Sequence, residues 1–188
     1  FCNNQKLEGK KERQNYPIGY IDTPQHCGSK GGEYCAIWLG PELPGDQRID
    51  DALSLNFETD PFNLKEDIVG SPEISLVVSA DSPNSQLAVR LCDIFPNGES
   101  CRITYGILNL KFRNGFEKPQ DLPINEKIKV TIKLDHIAYK IPKGNKLKVS
   151  LSSAYWPLVW PTNNPAKLTI HEGTLSLPTR EEALSDEW

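Results

Sequence analysis

Between residues 53 and 177 the chain alternates apolar and polar side chains with a period of two, in short runs divided by turn-forming residues. Leu53, Leu55 and Phe57 alternate with Ser54 and Asn56, and Ile74, Leu76, Val78 and Ala80 repeat the pattern. Leu87, Val89 and Leu91 follow, then Ile128, Val130, Ile132 and Leu134, then Leu147, Val149 and Leu151. This period puts every second side chain on one face of a pleated strand, so each run reads as a strand with one face buried. Residues 101–112 read as a long strand, and Gly106 inside it marks a bulge or a close backbone approach. Ile137–Ile141 is a short strand stopped by Pro142, and Leu168–His171 and Thr174–Leu177 are the last two strands. Asp81-Ser82-Pro83-Asn84, Pro96-Asn97-Gly98 and Lys143-Gly144-Asn145 are turns.

The connections are too short for the helical crossovers that parallel strands need. The strands are therefore expected to be antiparallel and packed as two sheets. The expected fold is an all-β jelly-roll β-sandwich, galactose-binding-domain-like, spanning residues 34–178. Residues 34–39 would be its first strand, and the turn-rich Gly40–Asp46 would follow. Residues 1–33 carry no sustained period and read as a loop or linker. Residues 179–188 are an acidic tail, either a short helix or disordered. No internal repeat is visible, which disfavours a propeller.

A length of 188 residues suits one domain of this kind. The net charge of −4 argues against nucleic acid as a partner, because phosphate contacts call for a basic face. The basic run Lys10, Lys11 and Arg13 lies in the polar N-terminal stretch and reads as solvated. No apolar run is long enough to span a bilayer, so no membrane partner is expected, and no signal peptide is visible. Cys2, Cys27, Cys35, Cys92 and Cys101 make an odd count, unlike a disulfide framework, and no Asn-x-Ser/Thr sequon occurs. Both point to a reducing, cytoplasmic setting. The start at Phe1 and the lack of methionine suggest a fragment.

The chemical motifs are sparse. A serine hydrolase places its nucleophile on a sharp Gly-x-Ser-x-Gly turn. The nearest approach here is Gly98-Glu99-Ser100-Cys101-Arg102, which lacks the second glycine and lies at a hairpin. A self-contained triad would have to combine residues such as Ser100, His171 and Asp93. His26, His136 and His171 have none of the usual zinc-ligand spacings, and a site from His26, Cys27 and Cys35 competes with plain buried thiols. Asp46, Asp50 and Asp51 in GDQRIDD could supply oxygen ligands to Ca²⁺, or pair with Arg48 and cap turns; the structural use is favoured. No catalytic residue, metal or cofactor is assigned.

The most unusual stretch is Tyr155-Trp156-Pro157-Leu158-Val159-Trp160-Pro161. Two prolines beside two tryptophans make a rigid apolar loop, and such surfaces usually mark interaction sites. Tyr155, Trp156 and Trp160 are the candidate interdomain or ligand contacts. Local core packing and ligand stacking remain open as alternatives.

The run LPGDQRIDDALSLNFETDPF (43–62) continues through GSPEISLVVSADSPNSQLAVRLCDIFPNGES (70–100), RITYGILNLKFR (102–113) and IAYKIPKGNKLKVSLSSAYWPLVWP (137–161), with TPQHCG and GEYC upstream. Together these stretches, over residues 20–178, resemble the C-terminal domain of the CocE/NonD hydrolases. That group is related to cocaine esterase, alpha-amino-acid ester hydrolases and X-prolyl dipeptidyl peptidases. Asn145 and Phe112 depart from it, standing where histidines are common, and neither position is catalytic there.

The resemblance implies an α/β-hydrolase domain with the Ser, Asp and His triad and a helical cap, both upstream of the jelly roll. No residue of this chain matches a triad motif. The implied role is an accessory domain of a serine acyl hydrolase that packs on the catalytic domain and cap and helps to shape the substrate site. A carbohydrate- or ligand-binding module is the alternative, and self-association into a homo-oligomer is open.

Overall fold

The protein is described by a computed structural model covering residues 1–2, 5–9, 16–33 and 43–180. Among the described residues there are ten strands: β1 Gly19–Ile21, β2 Leu55–Glu58, β3 Glu66–Gly70, β4 Glu73–Ala80, β5 Gln86–Ile94, β6 Ser100–Asn109, β7 Ile128–Lys133, β8 Ile137–Ile141, β9 Lys146–Ser152 and β10 Leu168–Ser176. A single-turn helix, α1, covers Arg48–Asp51, and a 3₁₀ turn covers Leu110–Phe112.

Every pairing between these described strands is antiparallel: β1 with β10, β2 with β9, β3 with β8, β4 with β7 and β5 with β6. The first strand meets the last, the second the ninth, and so on inward. That nesting is one long hairpin, and rolling it up gives a jelly roll. Rolling adds the contacts β10–β4 and β9–β5, which close two four-stranded sheets in the orders β1-β10-β4-β7 and β2-β9-β5-β6. The β3–β8 ribbon stands as a small third sheet.

The alternation seen in the sequence resolves into the sandwich core. Ile74, Leu76 and Val78 of β4, Val130 and Ile132 of β7, and Leu168 and Ile170 of β10 face Phe57, Leu87, Val89, Leu91, Leu147, Val149 and Leu151 of the opposite sheet. Gly106 marks a close approach: a Cβ there would lie 2.6 Å from the Lys133 carbonyl oxygen, where β6 and β7 of opposite sheets meet. The bulge in the β5–β6 pair lies nearby, since Leu91 faces Thr104 while Cys92 faces Arg102, leaving Ile103 as the extra residue.

Several local expectations change. Residues 168–176 form one strand, and the interruption is a bulge at His171 between Ile170 and Glu172. Gly19–Ile21, within the stretch expected to be loop or linker, pairs with β10, and Ile18, Ile21, Thr23 and Cys27 are buried. Strand β3 and helix α1 were also not expected; β3 buries only Ile68 and so shows no alternation, and α1 is a single turn. Strand 34–39, the turn segment through Glu42 and the tail beyond Arg180 lie outside the described residues.

The two sheets differ on their outer faces. The outer face of β4 and β7 carries Ser75, Ser79, Lys129 and Thr131 and is open. The outer face of the other sheet is covered by α1 and by residues 22–31 and 153–157. Strand β5 is consequently buried at all nine positions, polar ones included.

Candidate docking site and its buried support

Register fixes what stands under that cover. Asn56, Ser150, Arg90 and Tyr105 form one outward row across β2, β9, β5 and β6. Glu58, Lys148, Cys92 and Arg102 form a second row. The Arg90 side chain is completely inaccessible to solvent. An arginine cannot shed its charge, so burial requires an anion beside it. Helix α1 supplies Asp51, whose Oδ1 lies 3.2 Å from Arg90 Nη2 and accepts from Ser150 Oγ at 2.9 Å. Asp51 Oδ2 accepts from Ser100 Oγ at 2.7 Å and Lys148 Nζ at 3.3 Å. Arg90 Nη2 also donates to Ser54 Oγ at 2.7 Å.

Asp50, the neighbouring carboxylate, holds the covering loop. It accepts from the backbone N–H groups of Gly28 at 2.9 Å, Ser29 at 3.1 Å and Lys30 at 2.8 Å. Three successive amides around one anion make a nest. Asp46 pairs with Arg48, whose Nε donates to its Oδ2 at 2.7 Å. The acidic loop thus spends its carboxylates on internal donors, and no cluster of metal-ligating side chains occurs among the described residues.

Tyr155 sits on top of this network. Its hydroxyl accepts from Arg102 Nη1 at 2.6 Å and donates to Gln47 Oε1 at 3.0 Å. The Arg90 guanidinium lies 5.1 Å from its ring centroid. Burial pushes the phenol up to about 12 against the opposing pull of the two arginines, so it stays a neutral donor. The expectation that Tyr155 is itself a contact residue therefore meets a side chain buried inside this chain, where it acts as an anchor.

The loop beyond it is fixed at several points. The Trp156 N–H donates to the Cys27 carbonyl at 2.8 Å, and the Val159 N–H to the Tyr155 carbonyl at 3.1 Å. Gln86 Nε2 donates to the Trp160 carbonyl at 3.2 Å. Gly28 has φ +118, a conformation that disfavours side chains, and a Cβ there would overlap the Trp156 carbonyl. Held this way, Trp156 and Trp160 stand side by side with centroids 4.8 Å apart and are 38% and 78% exposed.

The catalytic candidates are dispersed. Ser100 is buried and donates to Asp51. Asp93 is buried elsewhere, accepting from Asn145 Nδ2 at 2.8 Å and from the Tyr139 hydroxyl at 3.0 Å. His171 bonds Ser79 Oγ through Nε2 at 2.9 Å on the other sheet. Burial and the nearby Lys127 lower the His171 pKa. Ser100, His171 and Asp93 therefore form no triad. Of the zinc candidates, His26 is exposed, Cys27 is buried beside Ser54 and the Asp50 carbonyl, and Cys35 lies outside the described residues.

The Arg90–Asp51 nucleus was missed by sequence reasoning. The signal available was an arginine and a cysteine at the outward positions of the otherwise apolar run LAVRLC. Only the covering loops make those positions buried.

Residues 5–186 match the family of the X-Pro dipeptidyl-peptidase C-terminal non-catalytic domain. The chain belongs to that family. The match reaches further towards the N-terminus than residue 34, as the β1 pairing and the buried residues near it also do. The chain is similar to cocaine esterase of Rhodococcus sp. (strain MB1 Bresler), 27% identical over 124 residues, which cover 63% of this chain and 21% of that protein.

Among solved structures it resembles an alpha-amino acid ester hydrolase with a TM-score of 0.69 at 22% identity, covering 72% of this chain and 27% of that one. It also resembles an aminopeptidase from the marine sediment archaeon Thaumarchaeota archaeon, with a TM-score of 0.67 at 14% identity over 80% of this chain and 32% of that one. A CocE/NonD family hydrolase from Staphylococcus aureus gives a TM-score of 0.59 at 17% identity over 70% and 31%. These structural likenesses establish the fold. The family domain spans only about a fifth to a third of each of these proteins.

Proposed function

We propose that this chain is the C-terminal accessory domain of a serine acyl hydrolase of the esterase, acylase or dipeptidyl-peptidase type. It packs on the α/β-hydrolase catalytic domain and cap and helps to shape the substrate site. The observation that carries this reading is the Trp156–Trp160 pair. Two large apolar rings are held in the open by a loop that the Cys27 carbonyl, the Gln86 amide and the buried Tyr155 fix in place. Tryptophan is the residue most enriched at binding hot spots, and a fixed ring loses little conformational entropy on docking. The dispersal of Ser100, His171 and Asp93 and the non-catalytic character of the family support the same reading.

Labelling with a fluorophosphonate probe, on this chain and on the intact parent side by side, tests it. The parent is expected to label at one serine and this chain at none. Heat-sensitive labelling of this chain at a single serine would overturn the reading. Removing the domain from the parent is expected to lower turnover; unchanged turnover and stability would remove the packing role.

A further inference from the structure

Strand β10 outruns its edge partner. Strand β1 pairs only with residues 168–170, while β10 continues to Ser176. Beyond the β1 contact a cleft of about 420 Å³ lies between the edge of β10 and the end of β2. Leu7, Ile18, Phe62, Leu147, Leu175 and Leu177 give it apolar walls. The N-terminal segment crosses beside it: the Phe1 amine donates to the Gly173 carbonyl at 3.3 Å, and the Leu7 N–H to the Glu58 carbonyl at 2.8 Å. A space of this size and lining suits apolar side chains.

The chain itself leads back to this cleft. After Leu177 it runs along β3. The Val69 N–H donates to the Pro178 carbonyl at 2.9 Å, Thr179 is bridged antiparallel to Ile68, and the Arg180 N–H donates to the Asp67 carbonyl at 2.9 Å. In an antiparallel register one chain rises in number as the other falls, so the direction beyond Arg180 is towards Phe62, at the cleft. Phe62 lies five positions before Asp67, a path of about 17 Å, and the eight residues 181–188 span up to ~27 Å when extended. Their two large apolar side chains are Leu184 and Trp188. Four positions apart, these share one face of an extended segment and of a helical turn alike. The family match continues to residue 186, so most of this segment belongs to the domain.

We propose that residues 181–188 return along residues 62–65 and close the cleft with the side chains of Leu184 and Trp188. Two other stretches of the chain do not suit it. Residues 10–15, next to Gly9 at the cleft, have no apolar side chain. Residues 34–42 are apolar, but they leave and return elsewhere. There the Gly45 N–H donates to the Lys30 carbonyl and the Gln47 N–H to the Ser100 carbonyl of β6, at the opposite edge of the sheet from β2. Glu8 and Glu172, both exposed, stand at the rim of the cleft, so the four carboxylates of residues 181–188 stay on the solvent side while the apolar face turns inward. The proposal does not depend on the docking reading above.

Hydroxyl-radical footprinting of this chain tests the assignment, with Trp160, 78% exposed, as the free reference for the same ring. Trp188 is expected to react about fivefold more slowly than Trp160, because a well-packed contact excludes water. Ending the chain at Arg180, or changing Leu184→Ser together with Trp188→Ala, is expected to raise the reactivity of Phe62 about threefold. Phe57 and Tyr155, both buried, report that each variant is folded. Trp188 reacting as fast as Trp160 would overturn the proposal, as would an unchanged Phe62 in both variants. Shielding of Phe62 in the intact parent alone would assign the cleft to another part of that polypeptide and overturn it equally.

Discussion

Replacing Asp51 with asparagine keeps the volume of the side chain and removes its charge from a site with 6% side-chain exposure. The carboxylate has two donors on each oxygen: Arg90 and Ser150 on Oδ1, Ser100 and Lys148 on Oδ2. The serine hydroxyls can turn to accept, but neither cation can. Whichever way the new amide is oriented, its NH₂ group faces a cation. Lys148 retains Glu58 at 3.1 Å, whereas Arg90 loses its anion while remaining completely buried.

Breaking a buried ion pair from one side costs about 3–5 kcal/mol. For a chain of this length that lowers the melting temperature by about 6–20 °C. Urea denaturation followed by tryptophan fluorescence measures the loss directly, with an unchanged slope showing that the denatured state is the same. Asp60→Ala, which removes the exposed Lys6 partner, serves as control and should leave the midpoint in place. A loss below about 1 kcal/mol for Asp51→Asn would refute the reasoning, because it would mean that Arg90 finds water or another anion on its own.

Three further outcomes follow from the same layer. Gly28→Ala forces a side chain into a left-handed conformation and against the Trp156 carbonyl, so it should cost about 1–3 kcal/mol and shift tryptophan emission; native emission and stability would contradict the packing. Burial pushes Cys92 from 9.0 and Tyr155 from 10.0 to about 12. The folded state therefore keeps protons that the unfolded state releases, so this stability is complete below about pH 9 and is lost as pH rises through about 12. Tyr155→Phe should flatten part of that alkaline slope in pH-dependent denaturation. Of the described thiols, Cys101 is exposed while Cys2, Cys27 and Cys92 are buried. A thiol reagent should modify Cys101 in the native chain and reach the other three only on unfolding; fast native labelling of Cys92 would argue against a closed covering layer.

The sequence by itself determined the sheets. A period of two in Ile74–Ala80 or Leu147–Leu151 is a local property of the strand, because adjacent side chains must point to opposite faces. The turns at 81–84, 96–98 and 143–145 and the short connections then leave antiparallel order. The family could be recognised for the same reason, since its runs are continuous in the chain. The tertiary structure alone decided which outward faces are wet. Arg90 and Ser79 both stand at outward positions of strands, and nothing local tells them apart. Arg90 is dry because α1 and residues 22–31 fold over it from distant parts of the chain, and Ser79 lies on the face left open. Tyr155 and Trp156 adjoin in sequence, yet one is an internal anchor and the other half exposed, since the buried Arg90 and the half-buried Arg102 guanidiniums take the first ring and leave the second outside. Phe116 has no periodic context at all. It lies on the loop after β6, 82% exposed, where the contacts of Arg113 with Gln120 and of Lys111 with Asp121 hold a conformation that no strand period encodes.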